Sequence, residues 1–208
     1  MADLYKRIEL VVTISLIAGF AFMATQGLKK QAPTIRDQIR SILSGPDFKT
    51  LENLYNVYKI AEFGEESIPE LKELLNSDVI LERWAAIVSL TSLLKENPTL
   101  EENIMPSLRQ ALEDENDTIK MFTAYQLLSL GKKDGFPVLI SLLESEETAF
   151  LSDPPEQIKD RSFLFLQGFT EYNGQTQQEW QEWWKKNKDY LFWDKERSIF
   201  KITENHEN

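Results

Sequence analysis

Between Ile68 and Phe169 the chain repeats one pattern of hydrophobic and polar positions three times. The first halves each have a proline followed by apolar residues: Pro69, Leu71, Leu74, Leu75; Pro106, Leu108, Ala111, Leu112; and Pro137, Leu139, Leu142, Leu143. The second halves each have a base, a small residue and two apolar residues: Arg83, Ala86, Leu90, Leu93; Lys120, Thr123, Leu127, Leu130; and Lys159, Ser162, Leu166, Phe169. Spacings of three and four place these side chains on one stripe, so each half predicts an amphipathic helix.

The distance between copies indicates an array of helical hairpins. Successive prolines are 37 and 31 residues apart, and the third copy has eight extra residues between its halves. Two helices cannot cover their own apolar faces, whereas stacked hairpins bury a continuous core between neighbours. The pattern therefore predicts an all-α fold, a right-handed α-solenoid of about three hairpins with N- and C-terminal caps. Because proline is tolerated in the first turn, we expect each first helix to begin close to its proline.

The repeated motif resembles the HEAT-repeat family, in the short variety also found in phycobilin-lyase-type repeats. The similarity lies in Pro-x-Leu…Leu, then Asp, then Arg-x-x-Ala-x-x-x-Leu, and it covers roughly residues 68–194. Asp78 with Arg83 and Asp114 with Lys120 are similar to the family's turn acid and base, which bond along the stack. The third copy departs from the pattern, because no acid stands clearly at its turn. The resemblance implies a structural role for these charges, and partner binding by Arg83 and Lys120 is the alternative.

Both ends of the array have sequences that fit caps. Residues 31–64 predict a hairpin without the repeat signature, residues 65–172 hold the repeats, and residues 173–208 form a Trp-rich end and tail. Trp180, Trp183 and Trp184 share one helical face, which predicts a cap packed on the third repeat, with a surface patch for peptide or glycan as the alternative. Three pairs have capping-box spacing: Ser67 with Glu70, Thr99 with Glu102, and Thr176 with Glu179.

Residues 1–30 predict one hydrophobic helix ahead of the solenoid. Lys6 and Arg7 precede an apolar stretch from Leu10 to Leu28, which is long enough to cross a membrane. No strong cleavage site follows, so an uncleaved anchor is favoured over a removed signal, which would make the protein secreted. Four bases after the stretch against two before it favour a cytoplasmic body. The similarity of the start to an export signal favours a periplasmic body, and this is the placement that we predict.

Composition narrows the classes of partner and of chemistry. The net charge of −11 repels phosphate backbones, so we expect no nucleic-acid partner, and it favours a basic protein. The chain has no cysteine, and its one histidine, His206, lies in a polar tail. Neither a phosphate-binding glycine loop nor a nucleophile elbow nor a metal-ligand cluster stands in the sequence. We therefore predict that the protein is not an enzyme and that it needs no cofactor and no metal.

The predicted function is a membrane-tethered, monomeric scaffold that binds another protein. The second helices of successive hairpins are expected to line a concave binding surface. Phe150 and Leu151, in the charged insertion of the third copy, are candidate anchors for a partner. The alternatives are a self-assembling structural subunit of the envelope and a small-molecule-binding or lyase-like repeat protein.

Overall fold

Pairs of helices follow one another through the part of the chain that the computed structural model describes, residues 33–44, 55–149 and 155–203. The helices are α1 (Ile35–Ser44), α2 (Tyr55–Ala61), α3 (Ile68–Leu74), α4 (Ile80–Glu96), α5 (Glu101–Ala111), α6 (Asp117–Ser129), α7 (Gly135–Ser141), α8 (Ile158–Gly168) and α9 (Gln177–Asn187). All of them belong to the second of two units, Met1–Thr34 and Ile35–Asn208. The predicted anchor, His206, Phe150 and Leu151 lie outside the described residues.

The predicted repeats correspond to three helix pairs, α3–α4, α5–α6 and α7–α8. The two helices of each pair contact each other, and α6 contacts both α4 and α8, so the second helices lie side by side. A hydrogen bond from Lys72 Nζ to Asn103 Oδ1 (2.7 Å) joins α3 to α5. Among the described residues, no helix is long and apolar enough to cross a membrane.

The core runs through the second helices. Leu90, Leu127 and Leu166 have no exposed surface, and the small residues Ala86 and Thr123 are equally buried. Helix α4 differs from the prediction of a single apolar stripe, since every residue from Arg83 to Thr91 is buried. Helices α2, α3, α5 and α6 all contact α4, and a helix covered on many sides needs apolar residues around its circumference.

Of the three predicted capping boxes, one is formed in the structure. The box of Thr176 and Glu179 is formed, with both reciprocal hydrogen bonds present. Ser67 makes no cap bond to α3; its hydroxyl donates to the carbonyl of Gly64 (2.7 Å). Glu70 instead pairs with Arg36 of α1. This prediction was wrong because a 3₁₀ turn, Gly64–Ser67, leads directly into α3 and keeps Ser67 in helical geometry.

The capping box of Thr99 and Glu102 is also not formed. The Thr99 hydroxyl donates to Asn97 Oδ1 (2.6 Å), and the Asn97 side chain caps a 3₁₀ turn that precedes α5. Because α5 begins at Glu101, Pro106 lies inside the helix and not near its start, contrary to the prediction.

The C-terminal region adds a small sheet that the all-α prediction did not contain. Strand β1 (Leu191–Asp194) pairs antiparallel with β2 (Ile199–Ile202). Phe200 of β2 is buried, and its N–H donates to the carbonyl of Phe169 just after α8 (2.7 Å). Its ring meets Phe136 of α7 with centroids 5.1 Å apart. The sheet therefore closes the end of the third helix pair.

The tryptophan face of α9 is largely covered. Trp180 has no exposed surface and Trp183 is 8% exposed, while Trp184 is half-buried. Trp183 and Trp184 lie against Phe136 of α7, with centroid distances of 5.7 and 5.2 Å. This face thus packs on the third helix pair, as predicted. Most of the surface of the three tryptophans belongs to the hydrophobic core.

Candidate functional site

Arg83 joins the first helix pair to the second. Its side chain is 6% exposed, and its Nε lies 2.8 Å from Oδ2 of Asp114, which is 9% exposed. Its Nη2 donates to Asp114 Oδ1 (3.0 Å) and its Nη1 donates to the carbonyl of Ser77 (2.8 Å). Arg83 thus pairs with the turn acid of the next copy, whereas the resemblance had paired it with Asp78 of its own copy. A buried charge must be paired, so these atoms hold the hairpins together and leave little surface for a partner.

Lys120 occupies the equivalent position in the second copy but has a different acid. Its Nζ lies 2.5 Å from Asp117 on its own helix, and not on Asp114 as the resemblance suggested. Asp117 Oδ2 also accepts from the hydroxyl of Ser145, in the turn of the third copy (2.9 Å). Burial alone would raise the pKa of Asp117, but hydrogen bonds from Lys120 and Ser145 outweigh it and lower the pKa. Lys120 therefore supports a second link between successive hairpins.

The insertion of the third copy has a defined base. Thr148 and Gln157 form an antiparallel bridge, and Ala149 N–H donates to the carbonyl of Glu156 (2.9 Å). Ile158 N–H donates to the carbonyl of Glu147 (2.9 Å) at the start of α8. The two ends of the insertion are thus held together beside α8, and the roles of Phe150 and Leu151 stay predictions.

A set of aromatic rings crosses the second helices, and we call it the second-helix aromatic face. It consists of the buried Trp84 of α4 and the half-buried Phe122 and Tyr125 of α6 and Phe165 of α8. Trp84 meets Phe122 edge-on at 6.4 Å, and Tyr125 meets Phe165 at 4.5 Å. The guanidinium of Arg161 lies 5.9 Å from the Phe122 ring and 5.8 Å from the Phe165 ring. The cation thus bridges the seam between α6 and α8.

Two further features mark this face. The indole Nε1 of Trp84 is buried and has no hydrogen-bond partner within the described ranges. Leu164, next to Phe165 and one turn from Arg161, is 63% exposed. The sequence reasoning did not single out these residues, although Phe122 with Tyr125 and Arg161 with Phe165 have the spacing of same-face neighbours. The signal was present, but only the packing of α6 beside α8 brings the two pairs together.

The described residues contain no group of three or more His, Cys, Asp or Glu side chains that could hold a metal ion. No protein-family model matches the chain, and neither a curated protein nor a solved structure shows significant similarity to it. The resemblance to HEAT repeats therefore rests on the residues named above.

Proposed function

We propose that this protein is a membrane-tethered scaffold of HEAT-like hairpins, stacked as a right-handed α-solenoid, that binds another protein. The observation that carries the proposal is the repetition of one inter-hairpin link. The starts of the first two second helices bond to the turn of the next copy, α4 through Arg83 to Asp114 and α6 through Asp117 to Ser145. An interface used twice between successive copies is what a stacked repeat requires.

The second-helix aromatic face supports protein binding. Interface centres are enriched in aromatic residues, which bury a large area with few rotatable bonds, and in arginine, whose planar guanidinium stacks on rings and donates several hydrogen bonds. Phe122, Tyr125 and Phe165 are half-buried, so their positions are held by the core while part of each ring stays accessible. Leu164, next to Phe165 in α8, is an exposed apolar residue.

Charge indicates what kind of protein would bind. A net charge of −11 attracts basic partners over several ångströms and repels acidic ones. We propose a basic segment that is attracted by the net negative charge of the chain and places apolar side chains on the second-helix aromatic face. Such binding weakens as salt screens the charges.

Site-specific photo-crosslinking of the full-length chain in cells tests this proposal. Leu164 is replaced by benzoylphenylalanine in one variant, and Val79 in a matched control, because Val79 is also apolar and 51% exposed but precedes α4. We expect Leu164 to cross-link to one basic protein and Val79 to give no such product. The yield in membranes should fall when salt rises from about 50 to about 500 mM. Equal products from both positions, or none from Leu164, would refute the assignment of this face.

The periplasmic placement is part of the proposal and has its own test. A phosphatase that is active only outside the cytoplasm, fused to the C-terminus, should be active in intact cells. An inactive but intact fusion would place the scaffold in the cytoplasm, in agreement with the positive charges that follow the apolar stretch.

Self-assembly is a second candidate, favoured by the exposed side of the small sheet. Within the described part of the chain the sheet has two strands, so β1 has one edge not covered by β2. Tyr190 and Phe192 there are 42% and 47% exposed. Edge strands pair readily with other chains. Particle mass in detergent that grows with protein concentration would support this candidate, whereas a constant monomer mass would support the scaffold.

A further inference from the structure

An open cleft of about 630 Å³ lies beside the C-terminal helix, and we call it the Tyr172 cleft. Its apolar wall consists of Tyr172, Trp183 and Ile202. The rings of Tyr172 and Trp183 are stacked, with centroids 5.4 Å apart and an angle of 11° between their planes. Trp180 meets Tyr172 edge-on at 4.9 Å, so the phenol ring is clamped. Because Tyr172 is half-buried, this fixed ring presents its remaining surface to the cleft.

Negative charge lines the same cleft. Glu179 and Glu182 are exposed residues one turn apart on α9, on the side that faces Tyr172. Burial, and then the charges of Glu179 and Glu182, raise the pKa of the Tyr172 hydroxyl above its ordinary value. The Glu182 carboxylate accepts a hydrogen bond from the side-chain amide of Gln178 (2.9 Å). Because the amide is neutral, the negative charge of Glu182 is not compensated by it. Lys186 is the one base of this lining.

We propose that the Tyr172 cleft is a binding site for a guanidinium group, an arginine side chain of a basic peptide. The clamped aromatic ring offers a π surface, on which a planar guanidinium stacks better than an ammonium. Glu182 lies at the rim as a hydrogen-bond acceptor and counter-charge, and Glu179, whose carboxylate already accepts from the N–H groups of Gln175 and Thr176, adds a second negative charge. This site is separate from the second-helix aromatic face and goes beyond the proposed scaffold function, so either can fail without the other.

The test compares two peptides that differ only in charge, acetyl-Gly-Arg-Gly-amide and the same peptide with citrulline in place of arginine. Citrulline keeps the shape and most hydrogen-bonding groups but is neutral. Both are titrated into the full-length chain, with binding followed by the NMR signals of the tryptophan indoles. We expect the arginine peptide to bind about tenfold more tightly, the size of a partly desolvated cation–π contact with one carboxylate, and to shift the Trp183 signal. A single cation per peptide avoids the general attraction of the acidic chain for polycations.

Four variants locate the binding. Tyr172→Leu should weaken binding of the arginine peptide about tenfold, and Glu182→Gln should weaken it severalfold. Lys186→Gln removes a repelling charge and should tighten binding. Phe192→Leu, which truncates an exposed aromatic residue of β1 outside the cleft, should change nothing. Glu182 and Lys186 are exposed, so these variants remain informative even where Tyr172→Leu destabilises the cap.

Three results would overturn the inference. Equal binding of the arginine and citrulline peptides would show that charge is not recognised. A loss with Phe192→Leu as large as that with Tyr172→Leu would show that the site lies elsewhere. Unchanged binding in both Glu182→Gln and Lys186→Gln would show that the charges of α9 play no part.

Discussion

The buried pair of Arg83 and Asp114 allows a quantitative test of how the hairpins are joined. Asp114→Asn keeps the shape of the side chain and the acceptor for Asn116 N–H (2.8 Å) but removes the charge that faces Arg83. Because both side chains are less than a tenth exposed, the buried guanidinium would be left with only the exposed carboxylate of Glu115, 3.8 Å from its Nη2, as a counter-charge. Removing one member of such a pair costs about 3 kcal/mol or more of the free energy of unfolding. Arg83→Met leaves the buried carboxylate unpaired, so we expect a similar loss.

The double variant separates this explanation from a simple loss of contacts. With both charges removed, no buried charge stays unpaired, so Arg83→Met with Asp114→Asn should be more stable than either single variant. The coupling energy from the double-mutant cycle should then exceed about 3 kcal/mol. Arg109 and Asp134 form a matched control, because they are also an arginine and an aspartate at 2.8 Å but are 52% and 33% exposed. Their coupling should stay below about 1 kcal/mol.

The assay is urea unfolding of the full-length chain in mild detergent, followed by circular dichroism. Variants are compared only if the slope of the unfolding free energy against urea concentration equals that of the wild type. A changed slope would indicate a change in the unfolded or the native state. A coupling energy for Arg83 and Asp114 no larger than that for Arg109 and Asp134 would refute the reasoning. The ion pair of Arg83 and Asp114 would then form between stacked hairpins without stabilising them.

Four further substitutions, one of them a control, test other parts of the structure. Leu127→Asp, at a side chain with no exposed surface, should cost several kcal/mol and lower the melting temperature sharply, whereas Leu164→Asp, at a 63% exposed position, should change it little. Asp117 has a lowered pKa, so the stability that it contributes is present above its unfolded pKa of about 4 and is lost as pH falls through its folded pKa. Asp117→Asn should therefore flatten the acid limb of a curve of melting temperature against pH. Gly131→Ala should cost about 1–3 kcal/mol in urea unfolding, because φ is +72° there and a Cβ would lie 2.6 Å from Trp193 Cγ. Wild-type stability of this variant would show that Trp193 can move aside.

The helices of this chain could be predicted because they depend on the spacing of apolar residues that are close in sequence. Residues three and four apart share a face whatever the rest of the chain does, so the proline and base halves predict helices before any contact is known. The box of Thr176 and Glu179 was predictable for the same reason, since all its atoms lie within four residues. The two wrong boxes fail locally as well, because 3₁₀ turns before α3 and α5 move the helix starts.

The tertiary structure decided which residues meet across the repeats. Arg83 reaches an acid 31 positions away, and no spacing within one copy distinguishes Asp114 from the nearer Asp78. The second-helix aromatic face exists only because α6 packs beside α8. The Tyr172 cleft likewise needs α9 and β2 to approach one another. Local periodicity determines helices, whereas the register between helices follows from the joint packing of many side chains, which a single pattern along the chain does not encode.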